Sequence, residues 1–306
     1  MAWALVVDHH SSSAAGRHSS AVASALTISL GVLVVELLAG LASNSLALLA
    51  DAAHVFADVS GMALALLAIR IAARSRTPGR SFGLYRLEIV AATANALLLL
   101  GVSVVIIIEA YRRFLEPPEV RPAIVIVVAL IALVANLVSL RLVSRGRRES
   151  LTIRGAYLEV AGDLLGAIAV LVAGVVIALT GWLQADAVAS VGIGLLIVPR
   201  TVALLRDSID VLLEAVPKGV DMAHVREHIL EAPGVEDVHD LHAWTITSGM
   251  NVVSAHVVLG PSAQPGDVLD YLGRCLSDDF DINHSTFQLE TPEHVRWEAQ
   301  TSQPQH

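Results

Sequence analysis

The sequence predicts a polytopic α-helical membrane protein with six transmembrane helices, followed by a C-terminal α+β domain. Three observations predict it. Of 306 residues, 55% are hydrophobic and 16% charged, whereas soluble domains carry about 25% charged residues. Six apolar stretches fit before residue 207, each near the roughly 20 residues that cross a bilayer. The charge balance reverses at the same place: residues 1–206 hold 16 Arg against 12 Asp+Glu, and residues 207–306 hold 4 Lys+Arg against 17 Asp+Glu. The expected organisation is a polar N-terminal tail over 1–20, a membrane region over 21–206, a second domain over 207–291 and a C-terminal tail over 292–306.

The opening segment is polar after Val7 and lacks a basic region ahead of an apolar run, so it does not read as a cleaved signal. Its His9, His10 and His18 belong to a polar tail or to a weak metal-collecting arm. The spans run over Ala21–Leu41, Leu46–Ile71, Leu87–Tyr111, Ala123–Val143, Gly155–Thr180 and Leu183–Leu205. Arg70, the second connection (Arg74, Arg76, Arg80, Arg86) and the fourth (Arg141, Arg145, Arg147, Arg148, Arg154) place ten Arg on one side. The other side has three, Arg112, Arg113 and Arg121, diluted by Glu109, Glu116 and Glu119. The positive-inside rule then puts both termini in the cytoplasm.

An acidic cytoplasmic tail disfavours nucleic acid and concentrates cations. Cys275 stands alone, so no disulfide or Cys-pair metal site is available, and thiolate-metal chemistry recedes. The single lysine, Lys218, lies in Pro-Lys-Gly, which excludes a GxxxxGK[ST] phosphate loop.

A charge at mid-membrane costs at least about 2.5 kcal/mol, so each needs a partner or a purpose. Asp51, His54 and Asp58 sit at i, i+3 and i+7 of the second span, on one helical face. Glu159 and Asp163 repeat the device at i, i+4 in the fifth. Placed side by side, these helices would point His54, Asp58, Glu159 and Asp163 at one another, with Asp51 as an auxiliary group. That is the ligand count and mixed N/O chemistry of a small divalent cation such as tetrahedral zinc. The bland reading is an interhelical hydrogen-bonded cluster, but no Arg or Lys is in view to neutralise three carboxylates. For the pairs to meet, the fifth helix must start near Glu149. Glu36 of the first span lines the same cavity or bonds a neighbouring helix. Asn95 and Asn136 read as packing glue, and Asp186 as an acidic residue on the dipole of the sixth helix.

In the tail, periodicity predicts a helix over Val220–Glu231, a strand over Val235–Thr247, a Ser248-Gly249 turn, a strand over Met250–Leu259, a helix over Pro265–Ser277 and a strand over Ile282–Glu290. His239, His256 and His284 fall on three strands, and Glu290 shares a face with His284 by period two. Paired in one sheet they form a metal site; otherwise they are scattered surface residues. His224 and His228, at i, i+4 on a helix, read as solvated.

The run Ser45-Leu46-Ala47-Leu48-Leu49-Ala50-Asp51-Ala52-Ala53-His54, the HxxxD of His54 and Asp58, and Val238-His239-Asp240-Leu241-His242-Ala243-Trp244 together resemble the cation diffusion facilitator family, in particular its bacterial zinc efflux branch. The resemblance covers nearly the whole chain. It implies a homodimeric six-helix transporter in the cell membrane that exports zinc against protons, with a cytoplasmic ferredoxin-like domain that binds further metal. By family position the transport site falls on His54, Asp58, Glu159 and Asp163. No cofactor is implied; the cargo is Zn2+, with Cd2+, Co2+, Mn2+ and Fe2+ as alternatives. The zinc branch has a second HxxxD on the fifth helix, and Glu159 stands where its histidine would be. The family's His-rich loop is replaced by the Arg-rich Ser144 to Arg154. An intramembrane metal-dependent hydrolase is the rival from another class, with Glu159 as base; it lacks HExxH and an activated nucleophile.

Overall fold

The computed structural model describes residues 19–74, 79, 82–144 and 151–301. His9, His10, His18, Arg76, Arg80, Arg145, Arg147, Arg148 and Glu149 lie outside them. Contacts divide the chain into two compact units, Met1–Leu66 with Ala94–Leu205, and Leu67–Thr93 with Arg206–His306.

Six long helices make up most of the first unit: α1 (Ser19–Ser43), α2 (Leu46–Arg74), α3 (Leu87–Leu115), α4 (Pro122–Ser144), α5 (Leu151–Thr180) and α6 (Gln184–Leu212). All but α2 are long and apolar enough to cross a membrane over the described residues. Helix α2, 29 residues long, carries Asp51, His54 and Asp58. Small side chains let the helices approach, with Ala47, Ala50, Ala57, Ala129 and Ala173 buried around Leu48, Val125, Val170 and Ile193. Large apolar residues such as Leu38, Val105, Leu179 and Leu195 stay more than half exposed. A water-soluble surface does not carry so much apolar area, and a lipid-facing one does. Helix α4 packs against α1 and α5. Asn95 Nδ2 donates to the Ala57 carbonyl across α3 and α2 at 3.1 Å, the packing role its place in an apolar span suggests.

Asp186 stands in the first turn of α6, as its sequence reading expects, and has a further role. Its carboxylate accepts from Leu46 N at 2.6 Å and from the Ser45 hydroxyl at 2.5 Å. It therefore caps the N-terminus of α2 from 140 residues away, satisfying donors that begin a helix unpaired. Serving the dipole of its own helix is not the whole of its role.

The second unit contains α7 (Met222–Leu230), β1 (Val235–Thr247), β2 (Met250–Leu259), α8 (Pro265–Phe280), β3 (His284–Glu290) and α9 (Pro292–Thr301). The sheet order is β1-β2-β3, antiparallel between β1 and β2 and parallel between β2 and β3. Gly249 takes a positive φ of 74° in the hairpin turn, which glycine adopts without strain. Asp221 caps α7, accepting from Ala223 N at 2.9 Å, and Pro265 opens α8. Both helices bury one stripe, Val225 and Ile229 with Val268, Leu272 and Leu276, against Val253, Ala255 and Val257 of the sheet. Helix α9 was not foreseen: the segment after residue 291 reads as a tail, yet it is helical to Thr301.

Candidate metal centres

In the membrane unit three of the expected ligands converge. His54 Nε2 lies 3.7 Å from Asp58 Oδ2 and 3.6 Å from Asp163 Oδ1, and one donor atom from each residue falls within 4.8 Å of the others. Helix α5 begins at Leu151, two turns before Glu159, which carries Asp163 to the level of His54. These distances are too long for hydrogen bonds. Asp58 Oδ2 and Asp163 Oδ1 are buried without a hydrogen-bond partner, and so is His54 Nδ1 on the other side of the ring. Buried polar atoms are ordinarily paired; two carboxylate oxygens and an imidazole facing one gap suit a cation.

Glu159 adjoins this group through a side-chain hydrogen bond with Asp58. It stands outside this three-residue group, and its Oε2 lies 4.0 Å from Arg200 Nη2 of α6. The cluster therefore has a basic neighbour that its own two helices do not reveal. Arg200 is legible in the sequence as a charge inside the sixth span. Asp51 is likewise outside the group, turned toward α5, where a Cβ on Gly166 would meet its Oδ1 at 2.4 Å. Glu36 is 1% exposed and Asp51 2%, and each keeps a buried oxygen without a hydrogen-bond partner.

In the second unit His239, His256 and Glu290 form a second convergent group. The antiparallel register places His239 opposite His256, and the parallel one brings β3 alongside β2 so that Glu290 arrives at the same end. Glu290, 3% exposed, reaches His239 Nε2 at 3.1 Å through Oε2 and His256 Nδ1 at 2.8 Å through Oε1. His284 does not join them. It pairs with Val252 at the far end of β3, and its ring faces Phe82 at 6.0 Å; sharing a strand face did not make it a neighbour, because five residues of extended chain separate it from Glu290. Asp240, unmarked by any periodicity, is recruited instead. A bulge between His239 and His242 puts it at φ 50°, and its carboxylate then reaches His242 Nε2 at 2.9 Å and His256 Nε2 at 3.7 Å. Were this centre to hold zinc, the metal at about 100 times its dissociation constant would stabilise the folded domain by about 2.7 kcal/mol. Full-length protein is expected to show a zinc-dependent rise in the melting of this domain that His256→Ala reduces; an equal rise in the variant would clear the sheet of metal binding.

Residues 22–213 match the family described as cation efflux transmembrane domain, and residues 217–292 the cation efflux protein cytoplasmic domain. The chain belongs to the cation efflux, or cation diffusion facilitator, family. A member from Cupriavidus metallidurans, the metal cation efflux system protein CzcD, is 44% identical over 282 residues, 92% of this chain and 89% of that protein. The zinc transporter ZitB of Escherichia coli is 36% identical, covering 87% of this chain and 85% of its own. The cadmium, cobalt and zinc/H(+)-K(+) antiporter of Bacillus subtilis is 34% identical, covering 90% and 89%. A solved metal-bound C-terminal domain of the Cupriavidus CzcD transporter is 46% identical over 23% of this chain and 99% of its own, with a TM-score of 0.23. As a cation diffusion facilitator, the protein is a membrane transporter of metal cations and not an enzyme, which removes the intramembrane hydrolase reading.

Proposed function

We propose that the protein exports zinc from the cytoplasm in exchange for protons, and that His54, Asp58 and Asp163 hold the ion in transit with Glu159 beside them. The observation that carries this reading is the set of buried, unpartnered ligand atoms on α2 and α5. The names of relatives, which include zinc, cadmium and cobalt among their cargo, support it.

Charge supplies the coupling. Three carboxylates and Arg200 leave a net negative site that one divalent cation neutralises; with the cation gone, about two protons restore neutrality in a medium that penalises net charge. Ligands must shed protons to hold metal, so loading from the cytoplasm releases protons and reprotonation from outside expels the ion. This reading places the protein in the cell membrane with both termini cytoplasmic, as a homodimer, with a transport domain over 21–206 and a metal-sensing domain over 207–291.

The test is metal-resolved uptake into proteoliposomes carrying a proton gradient. Zinc flux should collapse when the gradient is dissipated, and a flux indifferent to it would identify a passive channel. Glu159→His in the same assay addresses selectivity. Oxygen-rich ligand sets suit manganese and ferrous iron better than nitrogen-rich ones do, so the native protein should carry measurable manganese and the variant should carry less. Identical manganese-to-zinc ratios would remove Glu159 from the path of the ion.

A further inference from the structure

Outside both centres, the two helices of the second unit bring together a cluster that the sequence reading set aside as solvated histidines and a lone thiol. His224 and His228 lie one turn apart on α7, and Cys275 and Asp279 one turn apart on α8. Cys275 Sγ is 3.8 Å from Asp279 Oδ2, and His228 Nε2 is 4.0 Å from the same oxygen. His228 Nδ1 lies 3.0 Å from the His224 carbonyl oxygen. A carbonyl only accepts, so Nδ1 carries a proton, and in the neutral imidazole Nε2 presents a lone pair. That lone pair faces a carboxylate oxygen, acceptor against acceptor, at a separation too long for a hydrogen bond. An imidazole whose outer N–H is anchored on a backbone carbonyl is how metal-ligating histidines are usually held.

The geometry points to a further cytoplasmic metal site formed by His228 Nε2, the Asp279 carboxylate and the Cys275 thiolate, taking a borderline or soft divalent cation such as cobalt, zinc or cadmium. Tetrahedral coordination with ordinary bond lengths separates N from O by about 3.4 Å and S from O by about 3.6 Å. The observed 4.0 and 3.8 Å to the shared oxygen lie within a few tenths of an ångström of those separations, while His228 and Cys275 must also draw together, since these three residues are not among the groups whose donor atoms all lie within 4.8 Å of one another. The fourth position is left to water or to His224, whose ring centroid lies 4.3 Å from that of His228, with Phe280 walling both rings at 5.5 and 5.2 Å. Burial, together with the carboxylates of Asp279, Glu231 and Asp278, pushes the Cys275 thiol up. The same negative surroundings attract a cation, which then displaces the thiol proton on binding. Thiolate in the donor set favours cadmium over harder ions.

The test uses full-length protein carrying Asp163→Asn and His256→Ala, which disable the other two centres, titrated with cobalt(II). We expect a near-ultraviolet thiolate-to-cobalt charge-transfer band saturating at one ion per chain, absent in Cys275→Ser and bleached by added cadmium. Asp279→Asn and His228→Gln should each weaken cobalt binding at least about ten-fold; Asp279 is more than half exposed, so its variant keeps the fold. Absence of the band, or a band of unchanged affinity in either of those two variants, overturns the site. The readout is binding, so it stands independently of whether the protein moves zinc.

Discussion

Asp163→Asn is expected to bring proton-driven zinc uptake to background while leaving a folded protein. The substitution preserves shape, so packing is retained; what is lost is the charge on one of the two carboxylates that converge with His54. Removing groups that merely orient metal ligands costs about 10- to 100-fold in affinity or activity, so losing a ligand itself should exceed 100-fold. Asp58→Asn should behave alike. The two arms to compare are uptake in proteoliposomes and the melting profile of the same preparation. Native flux in either variant would sink the transport-site assignment. Loss of flux with collapsed folding would instead make the carboxylate a structural element.

Asp186→Ala is expected to cause the largest loss of stability of any single substitution considered. The carboxylate satisfies the Leu46 amide and the Ser45 hydroxyl at a buried helix start. Without it those donors remain unpaired away from water, at a cost of about 1–3 kcal/mol each. Helix α2 carries His54 and Asp58, so fraying its first turns would also loosen the ligands. Thermal melting in detergent reports the effect, and Asp186→Asn, which keeps one carbonyl acceptor, should recover part of it. Equal melting temperatures for native protein and Asp186→Ala would show that the cap contributes nothing.

Helix and strand positions in this chain were largely legible because each follows from a local pattern. The β1 and β2 strands match the predicted Val235–Thr247 and Met250–Leu259, since alternating residues bounded by Ser248-Gly249 leave little choice of register. Long apolar runs likewise define the membrane helices, although α6 continues to Leu212, past the expected Leu205. That end was hard to see because a helix leaving an apolar medium has no obligation to stop where the apolar residues do. Helix α9 was missed because its segment is polar and lacks a marked apolar stripe.

By itself the sequence determined which residue types enter the membrane and at what helical spacing: His54 and Asp58 share a face because they are four residues apart, wherever α2 packs. The family motifs it carries determined the class of transporter. Tertiary structure alone decided the partners. It set Arg200 of α6 beside Glu159, drew Asp186 onto the start of α2, excluded His284 from the sheet centre while a bulge admitted Asp240, and set His228 beside Asp279. The reason is physical. Periodicity fixes the direction of a side chain about its own helix or strand, whereas the distance to a group on another element depends on packing, register and bulges, which no single segment encodes.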